Sequence, residues 1–166
     1  ILNDDANIIL DNENFILSVD HKPFQQITLV YEVFQYWNTQ IDRNTYYKPI
    51  LQEDYFHFIG HGVFIVPDWN DKVDRVIEIE WHNIPKEWEI GNSFGVNSTT
   101  QNPFTSISKF CHAVYFSGDF QIDKIEVKGF PVYIAKRGEW KFSSNNLNDL
   151  ISSSLFAVRD FWKDYE

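Results

Sequence analysis

The residues best suited to chemistry are five histidines, His21, His57, His61, His82 and His112. None is followed by glutamate, so the His-Glu-x-x-His zinc signature is absent. His57 and His61 keep its spacing. On a helix both rings would reach one ion, but in an extended strand four residues span roughly 13 Å, far beyond a shared metal at about 2 Å per ligand. The apolar neighbours, with Gly60 and Gly62, favour a strand and a turn, so no metal ligand set is assigned. Glu78 and Glu80 share a strand parity and are placed for a carboxylate dyad; a solvated sheet face is the simpler reading. No Gly-x-Ser-x-Gly elbow or phosphate-binding glycine loop occurs. The single cysteine, Cys111, runs into the apolar Ala113-Val114 and reads as a buried, inert thiol, since activation requires a positioned base. No catalytic residue is assigned.

The aromatic side chains are the remaining candidates. Tyr46, Tyr47, Trp69, Trp81, Trp88 and Trp140 suit a sugar-stacking platform or a protein interface, while tryptophans in a β domain more often fill its core. Asn97-Ser98-Thr99 matches a glycosylation sequon.

The elements that must position these residues are mostly strands. Residues 1–13, rich in Asn and Asp, read as a loop or an incomplete first strand, and Phe15–Val19 as a short strand. Ile27–Trp37, β-branched and aromatic and bracketed by Pro23 and Asn38, reads as a long strand. Tyr55–Pro67, split at Gly60-His61-Gly62, reads as a hairpin, and Val73–Trp81 alternates as a further strand. Ile84–Trp88 is a turn and Gly91–Pro103 a polar loop. Ala113–Ser117, Ile122–Lys128 (with a possible bulge) and Val132–Lys136 form a meander punctuated by glycines. After Phe142 the period changes: Leu147, Leu150, Ile151, Leu155, Val158 and Trp162 recur at three- and four-residue intervals, on one helical face away from Asn148, Ser152 and Arg159. Asn146, with Asp149 three residues on, resembles the N-terminal cap.

These patterns predict a mostly β chain, a twisted antiparallel β-sandwich or saddle with one C-terminal amphipathic α-helix, over a single domain of residues 1–166. At 166 residues, 43% hydrophobic and 17% aromatic, the chain is too apolar for a disordered segment. Its formal charge of -10 disfavours a phosphate backbone, and the cluster Lys136, Arg137 and Lys141 is too small to track one; no nucleic-acid partner is expected. No run approaches the roughly 20 apolar residues of a membrane span. A chain that begins at Ile1 reads as processed or trimmed.

Three segments carry a resemblance to a known family. They are Phe58–Pro67; Trp81–Trp88 leading to Asn92-Ser93-Phe94-Gly95; and His112–Phe120. Gly129–Tyr133, Arg137–Trp140 and Val158–Trp162 complete it. Together, over Tyr55 to the end, they resemble the N-terminal, non-catalytic domain of the glycyl aminopeptidase family of zinc metallopeptidases, relatives of aminopeptidase N. In that family a β-rich domain precedes the thermolysin-like domain that bears the zinc site.

The resemblance implies a non-catalytic domain of a periplasmic or secreted bacterial metallopeptidase, though a cytosolic location stays open. It would pack on a C-terminal catalytic domain of the same polypeptide, which holds the zinc, and help shape the cleft for the peptide substrate. The chain ends where that catalytic domain would begin. Asn92, Ser93, Gly118 and Asp119 are the cleft candidates implied by this resemblance. Two other readings stand beside it: a carbohydrate-binding module using exposed aromatics, and an adaptor that takes a partner strand at a sheet edge.

Overall fold

The computed structural model describes residues 8–13, 16–35, 37, 47–68 and 72–163. They fall into two compact units, 1–34 and 35–166. In the first, β1 (Ile8–Asp11) and β2 (Ile16–Val19) pair antiparallel from Ile8 opposite Val19 to Asp11 opposite Ile16. A turn follows in which Gln25 N–H donates to the Lys22 carbonyl at 3.1 Å, with Pro23 at its second position and Phe24 at φ 63° in its third. That is a type II turn with phenylalanine where glycine is usual.

The long strand expected over 27–37 does not form. Its described residues join no ladder, and Val30 and Phe34 are exposed. β-propensity measures fit to a half-buried pleated surface, and the described residues of this run share no backbone ladder with any described strand. Tyr36, Asn38 and Phe15 lie outside the described residues.

In the second unit the elements run β3 (Ile50–Leu51), β4 (Tyr55–Ile59), a 3-10 turn (Gly60–Gly62), β5 (Arg75–Val76), β6 (Ile79–Glu80), β7 (Glu89–Asn92), β8 (Gly95–Val96), β9 (Thr100–Gln101), β10 (Phe104–Thr105), α1 (Ile107–His112), β11 (Val114–Gly118), β12 (Gln121–Val127), β13 (Phe130–Lys136) and α2 (Ser144–Trp162). Every pairing is antiparallel. The unit is mostly β and sandwich-like with a C-terminal helix, as the sequence pattern predicts.

The central sheet has the order β3-β4-β11-β7-β8. β11 takes the middle because its side chains suit burial on both faces. Tyr115, fully buried, stacks on Phe58 across the strand pair at 5.3 Å between ring centroids, and its hydroxyl donates to the Phe110 carbonyl at 3.0 Å. Phe116 fills the opposite face, where a Cβ on Gly91 would come within 2.6 Å of its ring; only glycine leaves it room. Around Tyr115 gather Phe58, Ile79, Phe110 and Ala113, with Phe56, Phe64 and Trp81 against them.

Residues 75–81 form a second ladder with 99–105. Arg75 faces Thr105, Val76 faces Phe104, Ile79 faces Gln101 and Glu80 faces Thr100. Between these pairs Ile77 N–H donates to the Pro103 carbonyl at 3.1 Å, and beyond them Trp81 N–H donates to Thr99 at 2.9 Å. Pro103 has no N–H to return the bond, which splits one register into two short segments.

The sequence pattern misplaces several other features. The polar loop over Gly91–Pro103 holds β8 and β9, because the Asn92 carboxamide organises the turn: its Oδ1 accepts from Phe94 N–H at 2.8 Å. α1 is unexpected, a six-residue helix capped by Ser106, whose Oγ accepts from Lys109 N–H at 3.2 Å. β12 and β13 pair over seven residues each without a bulge, joined by Lys128 and Gly129, both at positive φ, the signature of a type I′ hairpin.

α2 is capped by Ser143 rather than Asn146; Ser143 Oγ accepts from Asn146 N–H at 3.2 Å. Leu147, Ile151 and Leu155 lie half-buried, as expected, but so do Asn148, Ser152 and Arg159. Leu150 is 65%, Val158 53% and Trp162 72% exposed. The helix is turned toward its polar side because the sheet beneath it is polar there. Lys136 Nζ, at the end of β13, donates to Asp123 Oδ2 at 2.6 Å and to Ser144 Oγ. Asn148 Nδ2 donates to the same carboxylate oxygen at 3.0 Å, and Lys128 Nζ to Asp160 at 3.1 Å.

Candidate functional site

The four cleft candidates occupy two ends of one strand pair. Asn92 lies opposite Tyr115 on β11. Ser93 grips Val114, its N–H donating to the carbonyl at 3.1 Å and its Oγ accepting from the N–H at 3.0 Å. Gly118 lies opposite Tyr55 on one side and Glu89 on the other, three residues along β11 from Tyr115 and so roughly 10 Å away. The structure therefore brings Asn92 together with Ser93, and Gly118 with Asp119, and keeps the two pairs apart.

Each pair has local work. Asn92 is buried, its Nδ2 donates to Gln101 Oε1 at 2.5 Å, and its Oδ1 serves the Phe94 turn. Gly118 has φ 146°, and a Cβ there would stand 2.4 Å from Tyr55 Cβ. Asp119, exposed, bridges to Arg137, which also bridges to Asp54 and lies over the Tyr55 ring at 4.0 Å. Arg137, the residue after β13, thus gathers Asp54 just before β4, the Tyr55 ring of β4 and Asp119 just after β11. The sequence pattern does not single it out, because its partners come from segments 18 and 83 residues away.

The histidines separate as the strand-and-turn reading predicts for His57 and His61. His57 sits in β4 between Ile50 and Phe116, and burial holds its ring below the ordinary histidine pKa. His61, in the 3-10 turn, meets His112 of α1 instead, with ring centroids 5.9 Å apart and a 50° tilt. His112 Nδ1 lies 2.8 Å from the Ser108 carbonyl, as a donor to it. Two imidazoles supply half of a tetrahedral zinc set. Among the described residues no three His, Cys, Asp or Glu side chains gather as a metal site.

Cys111 is half-buried in α1, and burial pushes its thiol pKa up, away from thiolate reactivity. Glu78 and Glu80 are both exposed, and Glu80 pairs with His82 at 3.3 Å. Trp81 packs into the core against Phe56, with centroids 5.6 Å apart. Trp140 is exposed beside Phe142 at a 49° tilt, and Trp162 beside Phe161 at 88°; neither pair is coplanar. Trp69 and Tyr46 lie outside the described residues, and no described helix is long and apolar enough to cross a membrane.

Concave features also lie among the described residues. One, of about 230 Å³, lies beside the first turn of α2 between Lys136, Trp140 and Phe142. The larger, of about 460 Å³, runs between residues 64–67 and 75–80, with Ile107 and Phe110 in its floor. That volume is typical of ligand-sized clefts, roughly 300–1,000 Å³. The chain matches no protein-family model and no curated protein.

Proposed function

We propose that this chain is a non-catalytic, protein-docking β domain of an exported zinc aminopeptidase-like peptidase, which packs on the catalytic domain and helps shape its substrate cleft. The observation that carries the proposal is the exposed apolar stripe of α2: Leu150, Val158, Phe161 and Trp162 all stand in solvent. Large apolar side chains left in solvent along one helix are candidates for a protein interaction site. The residues on which the family resemblance rests agree with such a role, because Phe58, Gly60, Trp81, Asn92, Tyr115 and Gly118 serve the core and the strand pairs. The charged groups nearest the candidate cleft, Asp119, Asp54 and Arg137, are spent on one another.

On this reading the zinc belongs to the catalytic domain, and this chain acts by position. Incubated with zinc and aminoacyl anilides, it releases no amino-terminal residue; zinc-dependent release by the chain alone would overturn the proposal. In the parent enzyme, Asn92→Ala and Asp119→Ala test the cleft assignment. An altered KM in at least one supports it, and unchanged KM and kcat in both remove these residues from the cleft.

A further inference from the structure

The ladder between 75–81 and 99–105 has a second edge. In an antiparallel pair, a strand's backbone groups alternate between its two neighbours. The bonds from Ile77 to Pro103 and from Trp81 to Thr99 assign the odd-numbered residues of 75–81 to the existing partner. The N–H and C=O groups of Val76, Glu78 and Glu80 therefore point the other way, into the 460 Å³ cavity that 75–80 line. The side chains divide by the same parity. Ile77, Ile79 and Trp81 turn to the core, while Val76, Glu78 and Glu80 are exposed on the outer face.

The floor of the cavity is apolar, made by Phe64, Val66, Ile107 and Phe110. A strand edge that no described residue pairs, beside an apolar floor, is the arrangement that binds an extended peptide by strand addition, with main-chain hydrogen bonds for affinity and alternate side chains for specificity. A strand laid along this edge sets every second side chain on the floor. Its intervening side chains face solvent opposite Glu78 and Glu80. Acids there select a basic residue, since an opposite-charge cross-strand pair is favourable and a like-charge pair is not, and the chain's net charge of -10 adds long-range attraction.

We propose that the edge formed by Val76, Glu78 and Glu80 is a docking site for an extended segment of a partner protein in which apolar residues alternate with Lys or Arg. This stands whether or not the chain serves a peptidase.

The probe is the acetylated, amidated heptapeptide Lys-Val-Lys-Val-Lys-Val-Lys, titrated into the chain and followed by amide hydrogen exchange. The expected result is saturable binding that slows exchange of the Val76, Glu78 and Glu80 amides at least tenfold and leaves Ile77 and Trp81, already bonded, unchanged. The peptide with Glu in place of Lys binds at least tenfold more weakly. Glu78→Pro removes an N–H that the existing ladder does not use, a substitution edge strands tolerate, and lowers affinity at least tenfold while the thermal midpoint stays near that of the parent. Should Glu78→Pro unfold the chain, the odd-even exchange pattern of the unsubstituted protein decides alone. No binding at millimolar peptide, protection without that alternation, or equal affinity for the acidic peptide would each overturn the proposal. So would a dimer in sedimentation that protects the same three amides without peptide, which would assign the edge to a second copy of this chain.

Discussion

Gly118→Ala should destabilise the 35–166 unit through two separable effects. The backbone at Gly118 has φ 146°, a region that L-residues enter at a cost of about 1–3 kcal/mol. The added Cβ would also lie 2.4 Å from Tyr55 Cβ and 2.7 Å from the Asp54 carbonyl oxygen. Carbon atoms pack at about 3.5–4.0 Å, so β4 and β11 must part by roughly 1 Å where their ladder ends, an overpacking cost of about 1–3 kcal/mol. Together these remove about 2–6 kcal/mol from a stability that for most domains is only about 5–15 kcal/mol. Gly138→Ala is the control, since Gly138 also has positive φ (81°) but a Cβ there meets nothing within 4 Å. Urea unfolding followed by near-ultraviolet dichroism should give Gly118→Ala the larger loss, by the packing contribution alone. If Gly118→Ala loses no more stability than Gly138→Ala, the close approach of β4 to β11 is not what requires glycine there, and a direct role for the Gly118-Asp119 turn in the cleft gains weight.

Tyr115→Phe should cost about 1 kcal/mol for the lost bond to the Phe110 carbonyl, and Tyr115→Ala about 3–5 kcal/mol for the cavity; equal losses in urea melts would mean that the ring is not packed as described. His57, with its pKa held down by burial, binds protons more readily when unfolded, so stability should fall as pH drops below about 6.5; melts between pH 7.5 and 5 should lose this slope in His57→Gln. The Asp123 carboxyl is held below its ordinary range by hydrogen bonds from Lys136 and Asn148, so a second loss should begin below about pH 3.9 and vanish in Asp123→Asn.

What the sequence reveals follows from which patterns are local. β12 and β13 are legible because alternation and a glycine turn sit within 16 residues, and the partial burial of Cys111 because the apolar Ala113-Val114 follows it. The run at 27–35 misleads, since its composition promises a strand but pairing depends on a neighbour that composition does not name. The period of α2 is correct while its packed side is not: Asn148 lies inward because Asp123 of β12, itself held by Lys136 of β13, meets it there. Among the cleft candidates, the adjacency of Asn92 with Ser93 and of Gly118 with Asp119 is plain in the chain. Their separation along β11 and the Arg137 cluster are tertiary facts, set by the register of β4, β11 and β7.

The proposal that this chain is a docking domain for a zinc peptidase is tested most directly by calorimetric titration against the catalytic domain that the proposal places in the same polypeptide. Saturable binding is predicted that leaves zinc-dependent peptidase activity wholly with the partner, and that Leu150→Asp with Trp162→Asp weakens at least tenfold. Undetectable binding, or binding untouched by both substitutions on α2, would contradict it.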